Sequence, residues 1–233
     1  MAAALQAVAE DVWVVAGEPV RFPGVLFPTQ MVVVRLPDGG LWLNSPVGRS
    51  EAIAEAVDAL GPVREIVCPN SFHHLFVGAW VEAWPDARLY AAPGLRKKRP
   101  DLEFEADLVD ELPDAWAAVI DQRCFRGNRI MEEFVFLHRA TRTLMITDLL
   151  VNLRVDDFPA PARWFASFDG IRAPNGGTPR LYRWTQRSRE AARECVEWMI
   201  GSRPERILFP HGEPFEGEPA EVLREKFAWV LRP

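Results

Sequence analysis

The residues best suited to chemistry in this sequence are few and similarly placed. His73 and His74 stand side by side in "CPNSFHHLFVGAW" (68–80), Asp148 lies in "TLMITDLL" (143–150), and His211 sits in "ILFPHGEPF" (207–215). Imidazole and carboxylate together suit zinc, iron or manganese. Two histidines and one carboxylate also leave coordination positions open for water or substrate, as a catalytic ion requires. Each residue alone has a blander reading: a histidine satisfied by its neighbours, or an aspartate that caps a turn. Their common placement is what raises the metal reading, with His74, Asp148 and His211 as the preferred donors and His73 as a further partner. His138 is expected outside this set, at the surface or in support.

The elements that must hold these residues can be read from the pattern. "VWVVAG" (12–17) and "MVVVRL" (31–36) are rich in β-branched residues, as strands are, and "PDGG" (37–40) turns the chain into "LWLN". A helix is expected over 51–60, with Ser50 as N-cap and Gly61-Pro62 as its stop. "VREIVC" (63–68) reads as a central strand, 74–84 as a helix and "ARLYAA" (87–92) as another strand. Strands over 133–138 and 143–150 form a hairpin, and a last strand (206–209) lies between helices at 188–200 and 219–231. Thus His73, His74 and His211 follow the C-terminal end of a strand, and Asp148 lies at the C-terminal end of another. Open α/β sheets gather their sites there, because loops from several strands converge. The passage 156–181, with Phe158, Trp164, Phe165 and Phe168, is too long for a plain connection and reads as a packed aromatic flap or an interface.

Composition narrows the classes. The chain has 233 residues, 48% of them hydrophobic, which suffices for a substantial core; 1–233 is read as one domain. Its net charge of −6 does not favour a nucleic-acid partner. No apolar run approaches the roughly 20 residues of a membrane span, and the N-terminus lacks a signal-peptide pattern, so a cytoplasmic location without membrane partners is expected. Cys68, Cys124 and Cys195 are far apart, with no Cys-x-x-Cys. The nine tryptophans point to an aromatic pocket or a homodimer surface.

These motifs resemble those of the metallo-β-lactamase superfamily. The strand–"PNSFHHLFVGAW"–helix passage sits where that family has strand–"THxHxDHxGG"–helix. "TLMITDLL" and "ILFPHGEPF" are similar to its "LFTGDLL" and final "PGHG". More narrowly, "LWLNSPV", "PNSFHHLF", "PGLRKK", "TRTLMITDLLVN" and "PHGEP" look like a bacterial branch known only as a domain of unknown function, family 4336. The resemblance implies an αββα four-layer sandwich: two mixed β-sheets face to face, flanked by helices. It also exposes departures. Aligned on the helix start, Asn70 and Phe72 replace the first two histidines of the motif, and His74 stands in place of its aspartate. The third-motif histidine falls near Asn128. In this register, which we prefer, one of the family's two metal sites is lost. Phe72 fills its space, and Asn70 supports Asp148 by an amide hydrogen bond. A shift of one residue would instead place His73 at the aspartate and His74 at the histidine that follows it.

Two functions follow from the resemblance. The first is a hydrolase with a reduced, mononuclear site holding one divalent metal, zinc before iron or manganese. It would act on a small ester, lactam, thioester or phosphodiester. The second is a catalytically inactive relative, without metal or with a degenerate site, used to bind a small ligand or a partner.

Overall fold

The structure, a computed structural model, describes residues 5–22, 25–156 and 158–232. The chain opens with β1 (Leu5–Ala9), β2 (Val12–Phe22), β3 (Val25–Arg35) and β4 (Leu41–Asn44), an antiparallel meander. Gly39 takes φ +83° in the Pro-Asp-Gly-Gly turn before β4, a conformation open to glycine at little cost. The helix α1 (Glu51–Asp58) follows, and Ser50 Oγ accepts the Ile53 amide at its start. Then come β5 (Val63–Cys68), α2 (Val77–Ala83), β6 (Arg88–Ala91), α3 (Leu95–Lys98) and β7 (Ala106–Asp107). Strands β4 to β7 run parallel, so the first seven strands make one mixed sheet in sequence order.

The second half builds a second sheet from β8 (Ile120–Phe125), β9 (Glu133–His138), β10 (Thr143–Met145) and, later, β12 (Arg206–Leu208). Its order is β12-β10-β9-β8, with only β10 and β12 parallel. Between them lie β11 (Val151–Asn152), α4 (Ala160–Asp169), α5 (Arg180–Trp184) and α6 (Arg189–Gly201). The chain closes with β13 (His211–Gly212), α7 (Pro219–Lys226) and α8 (Ala228–Leu231).

Alternation along the strands sorts the core into layers. Val15, Met31, Val33, Leu43 and Ile66 face α1 and α2. Val14, Val32, Val34, Trp42 and Val67 face the second sheet, against Trp116, Phe134 and Phe136. The other face of that sheet packs on α6 to α8 through Phe125, Val135, Cys195, Met199 and Phe227. This is the expected four-layer αββα sandwich.

Several boundaries differ from the sequence reading. The helix expected from residue 74 begins at Val77, because the preceding residues close a tight loop on Asn70. The strand β8 was not expected; its alternation of Ile120, Gln122 and Cys124 inward hides a hydrophobic period behind a buried glutamine. The final helix breaks at Phe227, which is fully buried and caps α7.

Trp42 is the centre of the inter-sheet layer, with ring centroids 5.0 Å from Phe136 and 6.1 Å from Trp116. Its indole nitrogen is buried without a hydrogen-bond partner. Trp42→Ala should therefore cost about 3–5 kcal/mol in denaturant unfolding. Trp42→Phe should cost clearly less, since it keeps the ring contacts and removes the unpartnered donor; equal losses would show that packing at this position is not what matters.

Candidate metal centre

Three loops bring the polar residues together. Asn70 follows β5, Asp148 follows β10, and His211 opens β13, which pairs in parallel with β11. Gly212 has φ +114°, and a Cβ there would lie 2.0 Å from the Asn152 carbonyl oxygen. Only glycine lets the chain turn His211 against this strand pair so closely.

The donors that converge are His73, Asp148 and His211. His211 Nε2 lies 2.9 Å from Asp148 Oδ1, His73 Nε2 lies 3.3 Å from Asp148 Oδ2, and the two Nε2 atoms are 3.2 Å apart. A tetrahedral ion with bonds of about 2.0–2.1 Å keeps its donors about 3.3 Å from one another. The spacing fits one such ion. The orientation of the rings fits too. His211 Nδ1 donates to the Pro28 carbonyl at 2.8 Å, which aims Nε2 inward. His73 Nδ1 is held by the Ser45 hydroxyl. Ser45 takes φ +58°, an uncommon conformation for a residue with a side chain, and its amide is tied to the Val67 carbonyl.

Beneath the three donors lies a buried network. Asn70 Oδ1 accepts the amides of Phe72 and His73, at 2.8 and 3.0 Å, which fixes which way its amide faces. Its Nδ2 then points at Asp148 Oδ2 (2.8 Å), Glu133 Oε2 (3.0 Å) and Thr147 Oγ1 (3.1 Å). Glu133 is fully buried and also accepts the amides of Thr147 and Asp148, both at 2.8 Å. Burial, then the neighbouring Asp148 charge, pushes the Glu133 carboxyl up to about 7, against the pull of these hydrogen bonds. Burial acts on Asp148 in the same sense, but the His73 and His211 imidazoles outweigh it and hold Asp148 ionised far below the usual range. The reciprocal effect appears at His73: burial works against its protonated form, yet the Asp148 charge raises its pKa above the ordinary value.

The structure corrects the sequence reading at His74. Asn70 folds the loop into an Asx-type turn that directs His73 inward and sends its neighbour the other way. His74 Nδ1 lies 3.2 Å from Arg99 Nη1, and its Nε2 is buried without a hydrogen-bond partner. The geometry therefore follows the register that puts His73 in place of the motif's aspartate, although His74 is turned out of the site even so. Phe72 does not fill a lost metal site: it is 38% exposed, with the Lys98 ammonium 4.9 Å from its ring centre. Asn128 is likewise outside the centre, bonded to the Tyr182 carbonyl and Gln186. His138 lies outside the cluster as expected, but it is buried rather than on the surface, with Nδ1 against Thr141. Asn70 does reach Asp148. Ser45, Glu133 and the Pro28 carbonyl escaped the sequence reading. A serine directly after "LWLN" and an acid opening "EFVFLH" carry no local signal of their role.

Beside His211 a cavity of about 530 Å³ is lined by Leu26, Pro28, Leu153, Phe158, Arg154 and Glu213 among others, the last two forming an ion pair. Phe27 sets its ring edge on the His211 imidazole at 5.4 Å.

Comparison with known proteins agrees with this architecture. Residues 10–97 match the family described as "Domain of unknown function (DUF4336)". No curated protein matches the sequence significantly. Among solved structures, the metallo-β-lactamase from Pontibacter korlensis is 12% identical, with a TM-score of 0.66 over 99% of this chain and 100% of that one. The metallo-β-lactamase FIM-1 from Pseudomonas aeruginosa, solved in a mono-zinc form, is 13% identical, with a TM-score of 0.65 over 100% and 98%. A metallo-β-lactamase from Erythrobacter litoralis is 13% identical, with a TM-score of 0.67 over 98% and 97%. The chain has the metallo-β-lactamase fold.

Two outcomes follow from the network. Asn70→Ala leaves Glu133 and Asp148 side by side without their shared donor, and should destabilise the protein by about 1–3 kcal/mol in urea unfolding at pH 8. Around His74, burial and then the Lys98 and Arg99 charges lower its pKa to about 4 from the model-peptide 6.5. The folded state thus binds this proton less readily than the unfolded chain. The His74 contribution is fully present above pH about 6.5 and is lost as pH falls through about 4, by about 3 kcal/mol at most. The pH–stability curves of the wild type and His74→Gln should therefore differ in slope only in that window; parallel curves would show that His74 does not titrate abnormally.

Proposed function

We propose that the chain is a mononuclear metal-dependent hydrolase acting on a small ester, lactam, thioester or phosphodiester. The observation that carries this reading is the convergence of His73 Nε2, His211 Nε2 and the Asp148 carboxylate at ion-sized spacing. Two imidazole nitrogens and one carboxylate oxygen suit zinc first, and iron or manganese next. Three protein donors leave a fourth position open. A divalent cation held there by His73, Asp148 and His211 would supply Lewis acidity and lower the pKa of a bound water.

The chain's own residues have definable tasks around that point. Ser45 and the Pro28 carbonyl hold the two rings so that Nε2 faces inward. Asn70 and Glu133 fix the backbone amides of the loops that carry His73 and Asp148. Asp148 contributes the negative charge that an ion needs in a partly buried site. The cavity next to Gly212, lined by Leu26, Leu153 and Phe158 with Arg154 and Glu213 at its polar side but by none of the three donors, is the nearest place for an apolar substrate body.

Binding without turnover is the second reading. It is favoured by the direct contact of both imidazoles with Asp148, which satisfies the three side chains without an ion.

The test is metal binding by calorimetry and chelator competition, with hydrolysis of model esters, lactams and phosphodiesters measured alongside. One zinc should bind per chain. Ser45→Ala should weaken it about 10–100-fold, and His73→Ala, Asp148→Ala or His211→Ala by more than that. His74→Ala should leave affinity unchanged. Protein that binds no transition metal would overturn the hydrolase reading, and metal-loaded protein with no hydrolysis of any of these classes would favour binding without turnover.

A further inference from the structure

The segment from 160 to 189 is unlike the rest of the chain. It holds six arginines and a single acid, Asp169, in a protein of net charge −6. It also carries much of the exposed large apolar surface: Trp164 is 69% exposed, Trp184 66%, Leu181 42% and Phe168 38%. Three of these side chains are contiguous. Trp164 stacks on Phe168 with centroids 5.5 Å apart, and Phe168 meets Trp184 edge-on at 5.9 Å.

The two short helices that carry them are locked together. Buried Asp169, at the end of α4, accepts the Leu181 amide of α5 at 2.8 Å. Ala162 and Ala166 seat α4 on Val25, Val151 and Leu153, so its opposite face is free to present Arg163, Trp164 and Phe168. Arg163 precedes Trp164 and Arg180 precedes Leu181 in the chain, whereas Arg183, before Trp184, is half-buried and donates to the Thr178 carbonyl with its guanidinium over the Trp229 ring. Arg163 and Arg180 are exposed.

We propose that this face docks peripherally on an anionic lipid bilayer. Trp and Phe rings partition to the level of the headgroups, and adjacent guanidinium groups can reach the phosphates. Arginine and lysine near an anionic leaflet each add attraction, whereas the acidic remainder of the molecule is repelled. The same charge distribution therefore selects both the surface and the orientation. A two-fold pairing of this face with a second copy would set arginines against arginines. No helix among the described residues is long and apolar enough to cross a membrane, so the attachment is a surface one. It is independent of the metal reading.

The experiment is co-sedimentation of the full chain with vesicles of phosphatidylcholine alone or mixed with phosphatidylglycerol, with tryptophan fluorescence recorded in parallel. Binding is expected to the mixed vesicles, with a blue shift, and to weaken with added salt. Trp164→Ala with Trp184→Ala, and separately Arg163→Gln with Arg180→Gln, should each lower partitioning about tenfold or more, with circular dichroism unchanged. Equal partitioning into both vesicle types, no partitioning into either, or variants that bind like the wild type would overturn the proposal. So would a wild-type dimer that the tryptophan variant converts to monomer, since the face would then be covered by a second copy.

Discussion

The site depends on one amide. Asp148 and Glu133 are carboxylates placed side by side in a water-poor interior, where an unpaired charge is costly. Asn70 lies between them and donates to both, while its own oxygen gathers the amides of Phe72 and His73. A neutral amide can do this because it is donor and acceptor at once. The loop after β5, the loop after β10 and the start of β9 are thereby held in one hydrogen-bonded cluster. Because the cluster is fully engaged, it specifies a single loop geometry.

The charge balance of the site follows from that arrangement. Glu133 has only neutral donors around it, so its burial raises its pKa. Asp148 is less deeply buried and has two imidazoles in front of it, and stays ionised. Two neighbouring acids are driven apart both by what they face and by how deeply they lie. The result is one negative charge, from Asp148, directed at the point where His73 and His211 also aim their nitrogens. Behind the rings, a serine hydroxyl and a backbone carbonyl hold the outward nitrogens, so both Nε2 atoms face the Asp148 carboxylate.

The scaffold explains why such a small set can be placed accurately. Both sheets are buried on both sides, and the large rings of Trp42, Trp116 and Phe136 set the spacing between them. Asn70 and Asp148 belong to different sheets, and their contact is possible only because the sheets face each other. His211 comes from a third, two-stranded piece, tied through Pro28 to the β2–β3 hairpin.

The sequence by itself determined the layers and the strand ends at which polar residues collect. β-branched runs, the Asp-Gly turn and the cap at Ser50 are local signals, and local physics decides them. It also singled out Asp148, His211 and the histidine pair, because their residue types and positions are unusual. It preferred His74 to His73, and the structure reverses that order. Adjacent residues in a loop point in different directions, and the choice rests on two hydrogen bonds to Asn70 that no spacing rule encodes. Glu133 and Ser45 lie 63 and 28 residues from their partners Asn70 and His73. Only the packing of one sheet on the other, and of one strand beside the next, brought them within hydrogen-bonding distance, so the tertiary structure decided which polar residues became a site.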